Sequence, residues 1–165
     1  MARRLLGKEI QMKRLILPIA VAALALAACA SGASANQNQS ELSQNQQKWQ
    51  DANISHYRYN LAISCFCIFT QDMPLIIEVQ DGQVVSMEYA SGNEIDAANR
   101  EYFARFETID RLFEQLQKDI GGEADEVVAT YNANYGFPEE VKFDYVLEAT
   151  DDEIWLTISD FEPLQ

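Results

Sequence analysis

Cys65-Phe66-Cys67 is the one stretch of this 165-residue chain whose residue types and spacing invite chemistry. Two thiols one residue apart can close a bridge, exchange disulfides with another molecule, or take a soft cation such as Cu(I). A bridge over so short a loop constrains the unfolded chain less than ordinary bridges do. In an ideal strand the two Cα atoms would lie about 6.6 Å apart, at the far edge of what a disulfide accepts. A bulge or strain would then be needed, and strained bridges are the reducible ones. Against exchange, the pair falls on the apolar side of an alternating run, with no lysine nearby to stabilise a thiolate. Copper would need further soft ligands, for which Met73 and Met87 are the candidates. A structural bridge or a buried pair of thiols is the simpler use.

The other candidates are weaker. His56 is the sole histidine, so a histidine-rich zinc site is excluded within one chain, and a Ser-His-Asp triad would have to use it without any nucleophile-elbow motif in support. It reads as a residue at the mouth of a strand. The acidic groups Glu123-Asp125-Glu126 and Asp151-Asp152-Glu153 lack the spacing of a calcium loop and read as solvated turn carboxylates. Tyr135, Phe137 and Pro138 sit in a loop that would form a recognition patch if exposed, and that otherwise serves turn packing. No catalytic set emerges, no cofactor is called for, and the expectation is a non-enzyme.

The third cysteine has a different neighbourhood. Met12-Lys13-Arg14 forms a basic head, Leu15 to Ala28 a fourteen-residue apolar segment, and Ala27-Ala28 a small-residue end. That is a secretory signal, too short to span a bilayer comfortably as a permanent helix. Leu26-Ala27-Ala28-Cys29 matches a lipobox at every position, and to that extent the chain resembles a bacterial lipoprotein precursor. The resemblance implies cleavage before Cys29, a diacylglyceryl thioether on its sulfur, and a fatty acyl group such as palmitate on its amine. It implies a place in the cell envelope, and Ala30 after the cysteine resembles the pattern sent to the outer membrane in Gram-negative bacteria. Several acyl chains hold a protein beyond the marginal grip of one. With Cys29 so consumed, the intramolecular disulfide left is Cys65 to Cys67, in a compartment that oxidises thiols.

Removing residues 1–28 takes away five basic residues and one acidic, which moves the net charge from −14 to −18. Such a field repels nucleic acid and anionic lipid head groups, keeps the domain soluble and held off the membrane, and favours cationic partners. The remaining 137 residues suffice for one domain with a real core. Residues 29–40 carry no large apolar side chain and are expected to form a flexible tether. Residues 41–165 are then a single domain.

Within that domain the patterns alternate in kind. Glu41 to Ile54 reads as a helix after the Ser40 cap, with Trp49 to pin it. From Tyr57 to Cys67, apolar residues fall on every second position, which predicts a strand with one buried face carrying both cysteines. Leu75 to Gln80 and Gln83 to Tyr89 flank Asp81-Gly82, a two-residue hairpin turn. A short helix is expected around Ala97 to Ala104. Another follows the Thr108 cap, with Ile109, Leu112, Phe113, Leu116 and Ile120 on one face and Gly121-Gly122 at its end. Three further strands follow, Val127 to Tyr131, Val141 to Leu147 and Ile154 to Ile158. This order predicts an α+β fold: an antiparallel sheet of about six strands with two or three helices packed on one face. The halves share a helix-then-three-strands order without residue-level similarity, and no strand, glycine loop and helix unit for nucleotides is present.

These residues together resemble a family of unknown function, DUF6174, found in bacterial lipoproteins and secreted proteins. The resemblance spans about Trp49 to Phe161. It rests on Tyr57-Arg58-Tyr59, Ser64-Cys65-Phe66-Cys67, Asp81-Gly82, Thr108-Ile109-Asp110-Arg111-Leu112-Phe113, Tyr135-Gly136-Phe137-Pro138 and Asp151-Asp152-Glu153. It implies an extracytoplasmic domain and carries no activity to transfer. The functional expectation is a lipid-anchored envelope domain that meets the membrane through Cys29. It would bind an envelope protein or other component through its sheet or the Asn132 to Pro138 loop, with no nucleic acid. The alternative is thiol–disulfide or Cu(I) handling by Cys65 and Cys67.

Overall fold

A computed structural model of the chain describes residues 30–149 and 151–164. The expected signal, Cys29 and Thr150 lie outside the described residues. Contacts divide the chain between Asn38 and Gln39. Of the first unit, residues 30–38 are the opening turns of helix α1, Ala30–Ala52. This helix starts well before Glu41, inside the stretch expected to be a tether. Alanine and glutamine favour helix by propensity even where nothing apolar is buried, and a helix already nucleated extends one bond per residue.

The second unit is an α+β domain. Its elements are the remainder of α1, β1 (His56–Ser64), a 3₁₀ turn (Ile68–Asp72), β2 (Leu75–Gln80), β3 (Gln83–Tyr89), α2 (Ala97–Phe103), α3 (Ile109–Lys118), a wide turn (Asp119–Glu123), β4 (Glu126–Tyr131), β5 (Pro138–Asp144) and β6 (Ile154–Pro163). Among the described residues the six strands form one sheet in the order β3-β2-β1-β6-β5-β4, each neighbour antiparallel. The two three-strand halves meet through the first strand of one and the last of the other. A duplicated unit would join equivalent strands, so the shared element order is not a repeat.

Period-two alternation puts Tyr57, Tyr59, Leu61 and Ile63 of β1 on the same inner face as Leu75, Ile77 and Val79 of β2, all buried. The helices cover this face and the outer face is left to solvent. Asp81 and Gly82 both take positive φ, +50° and +74°, as a two-residue turn of this hand requires. Thr108 accepts from the Arg111 N–H as the N-cap of α3. The Tyr57 hydroxyl accepts from the next free amide, Ile109, at 3.2 Å. Burial, more than that bond offsets, raises the Tyr57 pKa further above its already high ordinary value.

The C-terminal strands differ in extent from their patterns. β5 runs from Pro138 to Asp144 and not on to Leu147, because Val146 and Leu147 are turned out into the following loop. β6 continues to Pro163, paired with β1 past a bulge where Asp160 has positive φ.

Asp119 ends α3 in a buried position, accepting from Gln115 Nε2 at 2.8 Å and from the Tyr145 hydroxyl at 3.3 Å. Its burial raises the carboxyl pKa, with those two hydrogen bonds opposing the rise. An acid whose folded pKa is raised binds its proton more readily when folded. Its contribution is therefore most favourable below the ordinary carboxylate pKa and declines as pH rises from there toward the raised folded value. Asp119→Asn is expected to leave the urea midpoint unchanged near about pH 3 and to raise it near about pH 7. A lower midpoint at both would show that the two hydrogen bonds outweigh the cost of the buried charge.

Candidate functional site

β1 stops at Ser64, three residues short of its alternating pattern, and the chain turns off the sheet. The sequence places Cys65 and Cys67 on the buried face of a strand. The structure instead puts them, half-buried, in a tight turn beyond the sheet end. They are joined as a disulfide with a Cα–Cα distance of 5.1 Å, shorter than an ideal strand allows, because the chain has left extended geometry by then. The Thr70 hydroxyl donates to the carbonyls of Cys65 (3.2 Å) and Cys67 (2.9 Å), and the Thr70 N–H reaches the Cys67 carbonyl. The turn therefore satisfies its own backbone.

Phe69 goes inward and packs edge-on to Phe103 at 4.9 Å between ring centroids, with Tyr102 at 5.3 Å. With Phe69 fixed to α2, its neighbours point out. Phe66 is 88% exposed and Ile68 92%. Cys65, Phe66, Cys67, Ile68 and Thr70 line a depression of about 280 Å³. Residues 64–71 carry no charge. Met73 and Met87, the further ligands a copper site would need, are partly buried against the core of β2 and β3.

The Asn132 to Pro138 loop is turned the other way. Asn132 Oδ1 accepts from the N–H groups of Asn134 and Tyr135, and the Asn132 N–H donates to the Phe137 carbonyl. Phe137 is 2% exposed, Pro138 is buried, and Tyr135 is half-buried. The rings of Tyr135 and Phe137 join Trp49, Tyr57 and Phe161 in one aromatic cluster, with Phe137 and Phe161 4.5 Å apart. Trp49 Nε1 donates to Asp110 Oδ1 at 3.1 Å, which fixes α1 to α3 as well as to the sheet. The Lys48 ammonium donates to the Ala133 carbonyl. These three loop residues thus serve packing and leave only Ala133 and Asn134 fully exposed at its tip.

His56 pairs with Glu78 across the outer sheet face at 2.8 Å. Lys142 bridges Glu126 and Asp144 on the same face, its ammonium 5.7 Å from the centroid of the half-exposed Trp155 ring. Two of the turn acids have structural work. Asp152 accepts from the Val146 N–H and Asp125 from the Leu147 N–H, so the loop after β5 is held open with Val146 and Leu147 exposed. Among the described residues no group of three or more His, Cys, Asp or Glu is placed to hold a metal ion, and no helix is long and apolar enough to cross a membrane.

Sequence reasoning missed Phe66 and Ile68 as surface features. Phe66 falls inside the strand that the alternation predicts and Ile68 just beyond it, and the available signal is the bridge itself, which a flat strand cannot hold. The family of unknown function DUF6174 matches residues 41–163. No curated protein and no solved structure matches the chain.

Proposed function

This chain belongs to the family of unknown function DUF6174, and we propose that it is a non-catalytic binding domain of the bacterial cell envelope. Lipid on Cys29 would hold it to the membrane, and it would touch an envelope component through the tip Cys65–Ile68. The carrying observation is the pair of large apolar side chains, Phe66 and Ile68, held in solvent by a turn that is bridged and hydrogen-bonded within itself. Exposed apolar side chains carried on a backbone with little freedom left to lose are what a contact surface needs. The signal and lipobox support the address, and the charge of −18 after cleavage disfavours nucleic acid. A photoreactive benzoylphenylalanine at position 66 in living cells is expected to give envelope adducts, and one at position 134 few. Equal labelling at the two positions would count against the tip.

A second reading, thiol–disulfide exchange, has one observation in its favour: the bridge lies at the rim of an open depression. No Lys, Arg or His stands among residues 61–71 to lower a thiol pKa. On the structural reading, Cys65→Ser with Cys67→Ser costs about 1.5 kcal/mol of stability by loop entropy alone. Mass-resolved thiol labelling of the mature protein should show no free thiol before or after a glutathione buffer. A bridge that opens in that buffer would favour exchange.

A further inference from the structure

We propose that the surface met by the tip is the bilayer itself: Phe66 and Ile68 seat among the head groups of zwitterionic phospholipid in the membrane that carries the N-terminal anchor. This rests on the reading of Cys29 as lipid-modified and deepens it.

The sheet register places the parts. Ser64, the last residue of β1, pairs with Trp155 at the start of β6, and β5 ends beside that start with Phe143 opposite Ile154. The loop carrying Val146 and Leu147 therefore leaves the same end of the sheet as Cys65–Ile68. All four apolar side chains are exposed there, Val146 and Leu147 at 48% and 61%. The C-terminal end of α3 is at this end too, because Asp119 meets the Tyr145 hydroxyl just past β5. Gln39 exchanges hydrogen bonds at 2.9 and 3.0 Å with Gln117 of that last turn. The domain thus begins at the end that bears the exposed apolar residues.

Nine residues lie between Cys29 and Gln39, and the ten Cα-to-Cα steps this makes reach at most about 35 Å even if fully extended. A lipid at Cys29 would keep this end of the domain close to the head groups. Shallow insertion then becomes an intramolecular event, populated at an affinity that would be negligible for a free protein. The turn suits lipid in another way. Its Cys65 and Cys67 carbonyls are both taken by Thr70, so they enter the interface already paired.

Charge selects the kind of lipid. The tip has none, but Asp125, Glu148, Asp151, Asp152 and Glu153 lie in the segments around Val146 and Leu147. An anionic surface would be repelled within a Debye length and a zwitterionic one would not.

The test uses the full lipidated protein, reconstituted in phosphatidylcholine–phosphatidylethanolamine vesicles, with benzoylphenylalanine at 66, at 68 or at 134. Positions 66 and 68 are exposed, and circular dichroism checks that each variant folds. Phospholipid adducts at 66 and 68 are expected at least tenfold above 134, falling severalfold when a third of the lipid is phosphatidylglycerol. Protein that floats with the vesicles but labels equally at all three positions overturns the inference and leaves the anchor standing. Adducts at 66 that are protein and not lipid in whole cells overturn it in favour of a protein partner. Protein that fails to float at all overturns both readings.

Discussion

Gly136→Ala is expected to destabilise the domain on the order of 3 kcal/mol, a drop of roughly 10 °C in melting temperature for a domain of this size. Gly136 has φ of +81°, where an L side chain is strained. A Cβ built there would lie 2.5 Å from the Asn45 carbonyl oxygen and 2.9 Å from the Lys48 Cβ, both on α1. The left-handed conformation costs an alanine about 1–2 kcal/mol. The contact with Asn45 is to backbone and cannot be relieved by a rotamer change, so α1 or the loop must shift. Either movement loosens the aromatic cluster that Trp49 and Phe137 build between them. Gly82→Ala separates the two causes: Gly82 also has positive φ, +74°, yet its Cβ would meet nothing within 4 Å. It should cost only the conformational part, about 1–2 kcal/mol. Thermal melts of the two variants giving equal losses would mean that α1 does not bear on the loop.

Much of this fold was legible because local chemistry and tertiary demand agree. Asp81-Gly82 could be read as a turn since few dipeptides accept two positive φ angles. The Thr108 start of α3 could be read since its cap and its apolar spacing coincide. The failures have one common cause, which is that alternation describes which side chains are apolar and not where a strand stops. Cys65 and Cys67 continue the period of Leu61 and Ile63, so nothing in the pattern marks Ser64 as the last paired residue. The pairing with β6 ends at Ser64, and the 5.1 Å between the cysteine Cα atoms shows that the chain has left extended geometry. The polar residues Ser159 and Glu162 show the reverse error. They are strand because β1 offers them partners, Arg58 and Asn60, and no propensity records a partner. The tip was hidden for the same reason. Phe66, Ile68 and Phe69 look alike in sequence, and what separates them is the Phe103 ring, which accepts one and leaves the other two outside.

Loss of the lipid should have an effect larger than any of these. The native protein is expected to begin at Cys29, with the mass of residues 1–28 gone and that of a diacylglyceryl group and an N-acyl chain gained. It should enter the detergent phase on Triton X-114 partitioning. The chain 29–165 made without a signal and carrying Cys29→Ala has no lipid and should move to the aqueous phase, a change of at least a hundredfold. The magnitude follows from the hydrocarbon: each buried methylene is worth about 0.8 kcal/mol, and one myristoyl chain alone gives a binding constant of about 10⁴ M⁻¹. Further chains on the same residue multiply that. The apolar tip, a shallow contact of a few side chains, is expected not to compensate. The order of the two effects matters for the tip as well: with the acyl chains gone, Phe66 and Ile68 face the bilayer only by free diffusion. Phospholipid adducts at position 66 should then fall to the level of position 134 in the same vesicles. A native protein that keeps residues 1–28, carries no added mass and stays in the aqueous phase would remove the anchor, and with it the reason for the tip to face lipid.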